Sequence, residues 1–248
     1  MDWKTTDSIQ LVESGLVALR GFWPKKVVAP VREKVMSELE RVKIRQNGKW
    51  VAGKLDAMPV FQRSGALSQM VSVGPEFKRL FDQELREVLN LAADGPLLPQ
   101  TPTPQLLLSL PNKEAWHVPT MNWHLDLKVP HDFSSPGLQA FVLIDDLVPR
   151  GGATLAIAGS HRLHELAREG GAHHILRQHA QLSALYDARR ATELEVGKTY
   201  DVNGIPVAIQ EMSGRAGDVF VMDLRVLHSP SLNASKNVRM MGTNRYLR

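Results

Sequence analysis

Gly151-Gly152-Ala153-Thr154-Leu155-Ala156-Ile157-Ala158-Gly159-Ser160-His161-Arg162 reads as a tight turn, a buried strand and a sharp exit. The paired glycines supply the turn, the apolar run suits a strand, and Gly159-Ser160 allows close chain approach on leaving it. Gly214-Arg215-Ala216-Gly217-Asp218-Val219-Phe220-Val221-Met222-Asp223-Leu224 has a similar form, a turn feeding a strand. Gln105 to Leu110, Leu138 to Leu147, Val207 to Glu211 and Asn237 to Leu247 are further short apolar runs bounded by Gly, Pro and Asn. Several short strands in succession predict a barrel or sandwich over residues 101–248.

The first hundred residues are of another kind. Residues from Ser8 read as a short helix stopped by Gly15, followed by a strand from Leu16 to Leu19. Phe22-Trp23-Pro24 turns the chain into a long helix, where Val27, Val31, Val35 and Leu39 recur every four residues and make one apolar face. Residues 41–75 read as irregular, interrupted by Gly48, Gly53 and Gly65. Pro75 to Ala93 reads as one amphipathic helix ended by Gly95-Pro96. Among the strands, the stretch from Arg162 to Arg190 is rich in Leu, Ala, Arg and His and reads as a helical insertion, reaching to about residue 205. The whole chain is read as a single domain, residues 1–248, with helical support in 1–100.

Composition narrows the chemistry. At 248 residues, 43% hydrophobic and 23% charged, the chain is ordinary globular protein. It has no cysteine, which excludes disulfides, thiolate-bound zinc, iron-sulfur clusters and a thiol nucleophile. Any metal must be held by His, Asp or Glu. No segment approaches the ~20 apolar residues of a membrane helix, so a cytoplasmic protein without a membrane partner is expected. A net charge of +4 is mild and has no long basic block behind it, which permits nucleic acid without pointing to it.

Asn122-Trp123-His124-Leu125-Asp126 contains an H-x-D triplet. In an extended strand His124 and Asp126 would share a face, about 7 Å apart along the backbone. Closed by a second imidazole, they make the 2-His-1-carboxylate triad of non-haem Fe(II) oxygenases. His228 supplies that third ligand, and Arg239 follows it by eleven residues on what reads as the next strand.

Taken in order, the motifs resemble the phytanoyl-CoA dioxygenase (PhyH-like) family of Fe(II)/2-oxoglutarate oxygenases. They are E-x-G-x-V-x-L-R-G-F (Glu13 to Phe22), W-H-x-D, G-G-x-T-x-x-x-x-G-S-H-R, G-D-x-x-x-M-D, and H-S-P-x-x-N-x-S ahead of the arginine. The resemblance implies a double-stranded β-helix, an eight-stranded jelly roll, with the N-terminal helices packed on one sheet. It makes His124, Asp126 and His228 the iron ligands and Arg239 the partner of the distal carboxylate of 2-oxoglutarate, a role suited to a bidentate, permanently charged fork. It offers Gln105 and Asn112, and more weakly Thr154 and Ser231, as further co-substrate contacts. His161 in the G-S-H-R turn is read as structural.

The implied activity is a hydroxylase using Fe(II), 2-oxoglutarate and O2, with ascorbate as an activator in vitro, acting on a small molecule and releasing succinate and CO2. Lys128 and Arg225, near the ligands in sequence, suggest an anionic substrate, with the basic insertion as a lid over the pocket. Two other readings stand beside this one. An AlkB-type nucleic-acid demethylase shares the triad, and Arg239 to Arg245 fits its R-x5-R string, but its flanking motifs and an aromatic, basic groove are missing. A non-catalytic jelly-roll binding protein would carry no iron.

Overall fold

A left-handed glycine separates the first helix from the first strand. The computed structural model describes residues 3–248 apart from Ala52, Lys54, Asp56, Ala57, Pro59, Met121 and Arg168. Helix α1 (Thr5–Ser14) ends at Gly15, whose φ of 71° aims its N–H at the carbonyl of Leu11, and strand β1 (Leu16–Leu19) starts at once. Helix α2 (Lys25–Arg41) buries Val28, Val31, Val35 and Leu39, the face expected from the sequence with Val28 in place of Val27. A short hairpin, β2 (Arg45–Gln46) and β3 (Lys49–Trp50), leads to α3 (Val60–Met70). That helix lies in the stretch read as irregular; Gly65 sits inside it rather than ending it.

The single helix expected from Pro75 to Ala93 is two, α4 (Pro75–Arg79) and α5 (Gln83–Ala92). Asp82, in extended conformation, restarts the helix, and the break lets Phe77, Leu80 and Phe81 all bury. The Phe77 and Phe81 rings rest over Gly242, where a Cβ would come within 2.6 Å and 2.9 Å of them. The missing side chain is what lets this helix pair sit close to the sheet.

The remaining strands are β4 (Leu98–Pro99), β5 (Gln105–Ser109), β6 (Gly137–Leu143), β7 (Thr154–Ala158), β8 (Thr199–Val202), β9 (Ile205–Glu211), β10 (Val219–Asp223), β11 (His228–Pro230) and β12 (Arg239–Leu247). They form two antiparallel sheets, one in the order β1-β10-β6-β12-β4 with β5 also on β12, the other β11-β7-β9-β8. This is the expected jelly roll, with β1 and the two-residue β4 added to its eight strands.

Period-two alternation sorts the apolar residues into three cores. Val17, Leu108, Ala140, Val142, Val221 and Tyr246 face the N-terminal helices on the outside of the larger sheet. Leu16, Phe141, Leu143, Ala156, Phe220 and Met241 fill the space between the sheets. Leu155, Ile157, Tyr200, Val207 and Ile209 face the insertion on the outside of the smaller sheet. The insertion comprises α6 (Ser160–Leu163), α7 (Gly171–Gln178) and two 3-10 turns, Leu182–Tyr186 and Ala188–Glu193. It ends before β8, so residues 199–202 belong to the sheet, where Tyr200 and Val202 alternate toward the insertion core.

Candidate metal centre and co-substrate pocket

His124 and His228 meet through their backbones first. Each N–H donates to the other's carbonyl, at 3.0 Å and 3.1 Å, in an isolated antiparallel bridge. Directly paired residues project to the same face, so the ring centroids lie 4.4 Å apart. His228 is delivered by β11, whose other edge pairs with β7, the strand of the Gly151–Arg162 stretch. The strand expected through His124 and Asp126 is absent: His124 makes only this bridge and Asp126 lies in a bend. Trp123 anchors the segment instead, buried against the insertion core with its indole N–H on the carbonyl of Pro119 at 2.8 Å.

Both imidazoles have a fixed tautomer. His124 Nδ1 lies 2.8 Å from the Asn122 carbonyl and His228 Nδ1 lies 3.2 Å from the Val226 carbonyl. A carbonyl can only accept, so Nδ1 carries the proton and each Nε2 presents a lone pair. His124 Nε2 is 3.8 Å from Asp126 Oδ1, and His228 Nε2 is 3.5 Å from Asp126 Oδ2. Donor atoms of all three lie within 4.8 Å of one another, as a shared cation requires. Burial and the neighbouring His228 lower the pKa of His124, which favours the neutral, ligating form. Burial alone would raise Asp126, but the adjoining His228 ring and the hydrogen bond from Arg245 outweigh it and hold the carboxylate far below its usual range.

The three side chains open into a cavity of about 510 Å³ between the sheets. Arg239, at the start of β12, lines it while being only 3% exposed. One guanidinium nitrogen donates to Ser64 Oγ at 3.2 Å, another lies 4.0 Å from Met241 Sδ, and Nε has no partner. Among the described residues no carboxylate pairs with it. Burial pushes its pKa down to about 10, so it remains charged at neutral pH. A buried cation without a counter-charge is costly, and a cavity that holds one is built for an anion.

Gln105 and Thr154 also line the cavity. Four other candidates do not. Asn112 lies outside it, taking part in a turn with its Oδ1 accepting from Glu114 N at 2.9 Å. Ser231 is buried and spends its hydroxyl on the Ala153 carbonyl at 2.7 Å. Lys128, expected on a strand beside Asp126, is exposed in irregular chain. Arg225 faces away, forked onto Asp223 at 2.8 Å and bonded to the Phe133 carbonyl, in a separate cleft beside His161. The anionic-substrate expectation rested on those two cations and loses its basis. The insertion covers the outer face of the smaller sheet, and among the described residues it contributes no side chain to the cavity lining. His161 holds the Val12 carbonyl at 3.0 Å, a structural role.

Sequence reading passed over three polar cavity residues, Ser64, Gln139 and Thr243, and gave Arg245 only as the end of the R-x5-R string. Arg245 Nε donates to Asp126 Oδ2 at 2.8 Å. A signal for the β12 pair was available: Arg239, Met241, Thr243 and Arg245 alternate, so one inward residue predicts the other three. Ser64 was hidden with α3.

An antiparallel jelly roll enclosing two histidines, an aspartate and a buried arginine defines the class of non-haem iron oxygenases that use a 2-oxo-acid. The chain belongs to the phytanoyl-CoA dioxygenase (PhyH) family, whose profile matches residues 11–241. Enzymes of this family and its structural neighbours are non-haem iron and 2-oxoglutarate-dependent oxygenases and related enzymes. Similar solved structures include AviO1 from Streptomyces viridochromogenes Tue57 (TM-score 0.60, 19% identity, 99% of this chain and 95% of that one). The α-ketoglutarate-dependent carbocyclase SnoK from nogalamycin biosynthesis has a TM-score of 0.61 at 19% identity, covering 99% and 84%. The epimerase SnoN, solved with Fe3+, α-ketoglutarate and nogalamycin RO, has a TM-score of 0.55 at 15% identity, covering 98% and 82%. No curated protein matches the sequence. Among the described residues no helix is long and apolar enough to cross a membrane.

Proposed function

We propose that the protein is an Fe(II)/2-oxoglutarate-dependent hydroxylase of a small molecule, with His124, Asp126 and His228 holding the metal and Arg239 holding the co-substrate. The observation that carries this reading is Arg239: a buried, charged, uncompensated guanidinium in the cavity onto which the triad opens. A dicarboxylate that reaches the metal through its keto acid end needs a fixed cation for its far carboxylate. The donor set fits the metal too, since two neutral imidazoles and one carboxylate leave positions for co-substrate and O2.

When bound, Fe(II) with 2-oxoglutarate and O2 supplies an oxidant able to take hydrogen from an unactivated C–H bond, leaving succinate and CO2. The chain's own part is positional. The Asn122 and Val226 carbonyls fix the tautomers of the two histidines, and Arg245 fixes one oxygen of Asp126. Gln105 and Thr154 add polar contacts beside the co-substrate. The walls between the sheets, Leu107 and Phe141 among them, keep water from the reacting carbon. SnoK and SnoN come from nogalamycin biosynthesis and share the fold, which favours a specialised small metabolite here, in a cytoplasmic setting.

The test is succinate formation from 2-oxoglutarate with Fe(II) and ascorbate. His124→Ala, Asp126→Ala and His228→Ala are each expected to abolish it while circular dichroism stays native. Near-normal succinate production in any one of them would remove that residue from the ligand set. A screen for products 16 mass units heavier than their precursors would then identify the substrate.

A further inference from the structure

One polar atom in the cavity is left over. Gln139, on β6, is 2% exposed and lines the cavity, and its Oε1 has no hydrogen-bond partner among the described residues. Its Nε2 donates to Thr243 Oγ1 at 3.1 Å, and Thr243 Oγ1 in turn donates to the Ala140 carbonyl at 2.9 Å. Because a carbonyl only accepts, the single hydroxyl proton is committed and Thr243 offers Gln139 nothing but a lone pair. That fixes the amide: nitrogen toward Thr243, oxygen left for the cavity.

A buried acceptor without a donor is costly, so native proteins meet it with a donor from outside the chain, an ordered water or a bound ligand. 2-Oxoglutarate cannot be that partner, since its carboxylates and keto group carry acceptors only. Position agrees. Gln139 lies opposite Arg245 in the β6–β12 register, and its amide meets Thr243, four residues along β12 from Arg239 and thus about 13 Å from it along the strand. The guanidinium of Arg245 beside it disfavours an ammonium donor, which leaves a neutral one.

We propose that Gln139 Oε1 accepts a hydrogen bond from a neutral hydroxyl group of the primary substrate, which makes the substrate a hydroxyl-bearing molecule and Gln139 a specificity-determining residue. The proposal rests on the oxygenase reading above and narrows it. Arg239 selects the acidic co-substrate at one end of β12, and Gln139 selects the alcohol at the other.

The experiment uses the full chain loaded with Mn(II). Affinity for 2-oxoglutarate is measured first by calorimetry; if the wild type binds none, the oxygenase reading fails, whatever Gln139 does. With co-substrate bound, three alcohols are titrated and followed by saturation-transfer NMR: methyl β-D-glucopyranoside, trans-1,2-cyclohexanediol and 2-phenylethanol, each beside its fully O-methylated ether. At least one alcohol is expected to bind while its ether does not. Gln139→Leu should weaken that alcohol about tenfold or more, as loss of one buried hydrogen bond does, while 2-oxoglutarate affinity stays within about twofold. Gln139→Glu, which keeps an acceptor, should retain more alcohol binding than Gln139→Leu. The proposal is overturned if ethers bind as well as alcohols, if no alcohol binds, or if Gln139→Leu leaves the alcohol unaffected. It is equally overturned if Gln139→Leu costs 2-oxoglutarate as much affinity as the alcohol. The alcohol–ether comparison needs no variant, so it stands even if Gln139→Leu does not fold.

Discussion

Arg239 spends stability to create a binding site, and the two effects separate in one substitution. Arg239→Met removes a buried charge that no carboxylate compensates and fills the space with an apolar side chain of similar length. The ligand-free protein is expected to melt a few degrees higher, while 2-oxoglutarate affinity falls about thirtyfold or more, as loss of a charge-assisted contact to a desolvated carboxylate implies. Metal affinity without co-substrate should hardly change. A lower melting temperature with unaltered 2-oxoglutarate binding would make Arg239 a structural residue. Arg245 makes the opposite pairing, because its Nε holds Asp126 Oδ2 at 2.8 Å. Arg245→Ala frees that carboxylate and is expected to weaken Co(II) binding about tenfold, the usual scale for losing a group that orients a ligand. Unchanged Co(II) affinity would sink that role. At this scale the sequence speaks clearly where chemistry limits the choice: without cysteine, an H-x-D and a later histidine are a short route to a metal site. It is silent where a side chain's direction depends on irregular backbone, and Asn112, Lys128 and Arg225 sit in such backbone.

Elements with a strong period are the legible ones. Valines and leucine every four residues fix α2, and apolar runs between glycines fix β7, β10 and β12 within one or two residues, while β6 starts one residue before its run and ends four residues short of it. α3 escaped because Gly65 reads as a break, and β11 because three residues carry no period at all. The polar side of α2 has a consequence of its own. Glu38 is buried at 5% exposure among Arg41, Lys34 and the Ser72 backbone N–H, and these hydrogen bonds lower its pKa to about 2 from the ordinary 4.5. A depressed carboxylate stabilises the folded state above its unfolded pKa and loses that contribution as pH falls through the folded value. Glu38→Gln is therefore expected to lower the melting temperature at pH 7, with the gap to wild type narrowing below pH 4.5 and closing near pH 2. A gap that stays constant from pH 7 to pH 2 would show that shape rather than charge matters at this position.

At the scale of the molecule, the N-terminal hundred residues are built into the jelly roll. β1 is hydrogen-bonded to β10 in the larger sheet, its register running from Leu16 opposite Met222 to Leu19 opposite Val219. Trp23 N donates to the Gly217 carbonyl at 2.9 Å, and a Cβ on Gly217 would lie 1.9 Å from the Trp23 carbonyl oxygen, so the chain entering α2 rests directly on the turn before β10. One apolar core joins α2, α4 and α5 to the outward face of β5, β6, β10 and β12. We propose that support and barrel are a single cooperative unit. The full chain should then unfold in one calorimetric transition, with van't Hoff and calorimetric enthalpies equal. Residues 101–248 expressed alone should not fold, because they would expose the outward face of the larger sheet and leave the β10 edge unpaired, a template for aggregation. The metal site should vanish with the fold, since the inward residues of β12 are held by the same strand whose outward residues, Met240 and Tyr246, need the helices. Two separated transitions, or a fragment 101–248 that gives a dispersed NMR spectrum and binds Co(II), would show instead that the barrel stands alone and the helices are accessory.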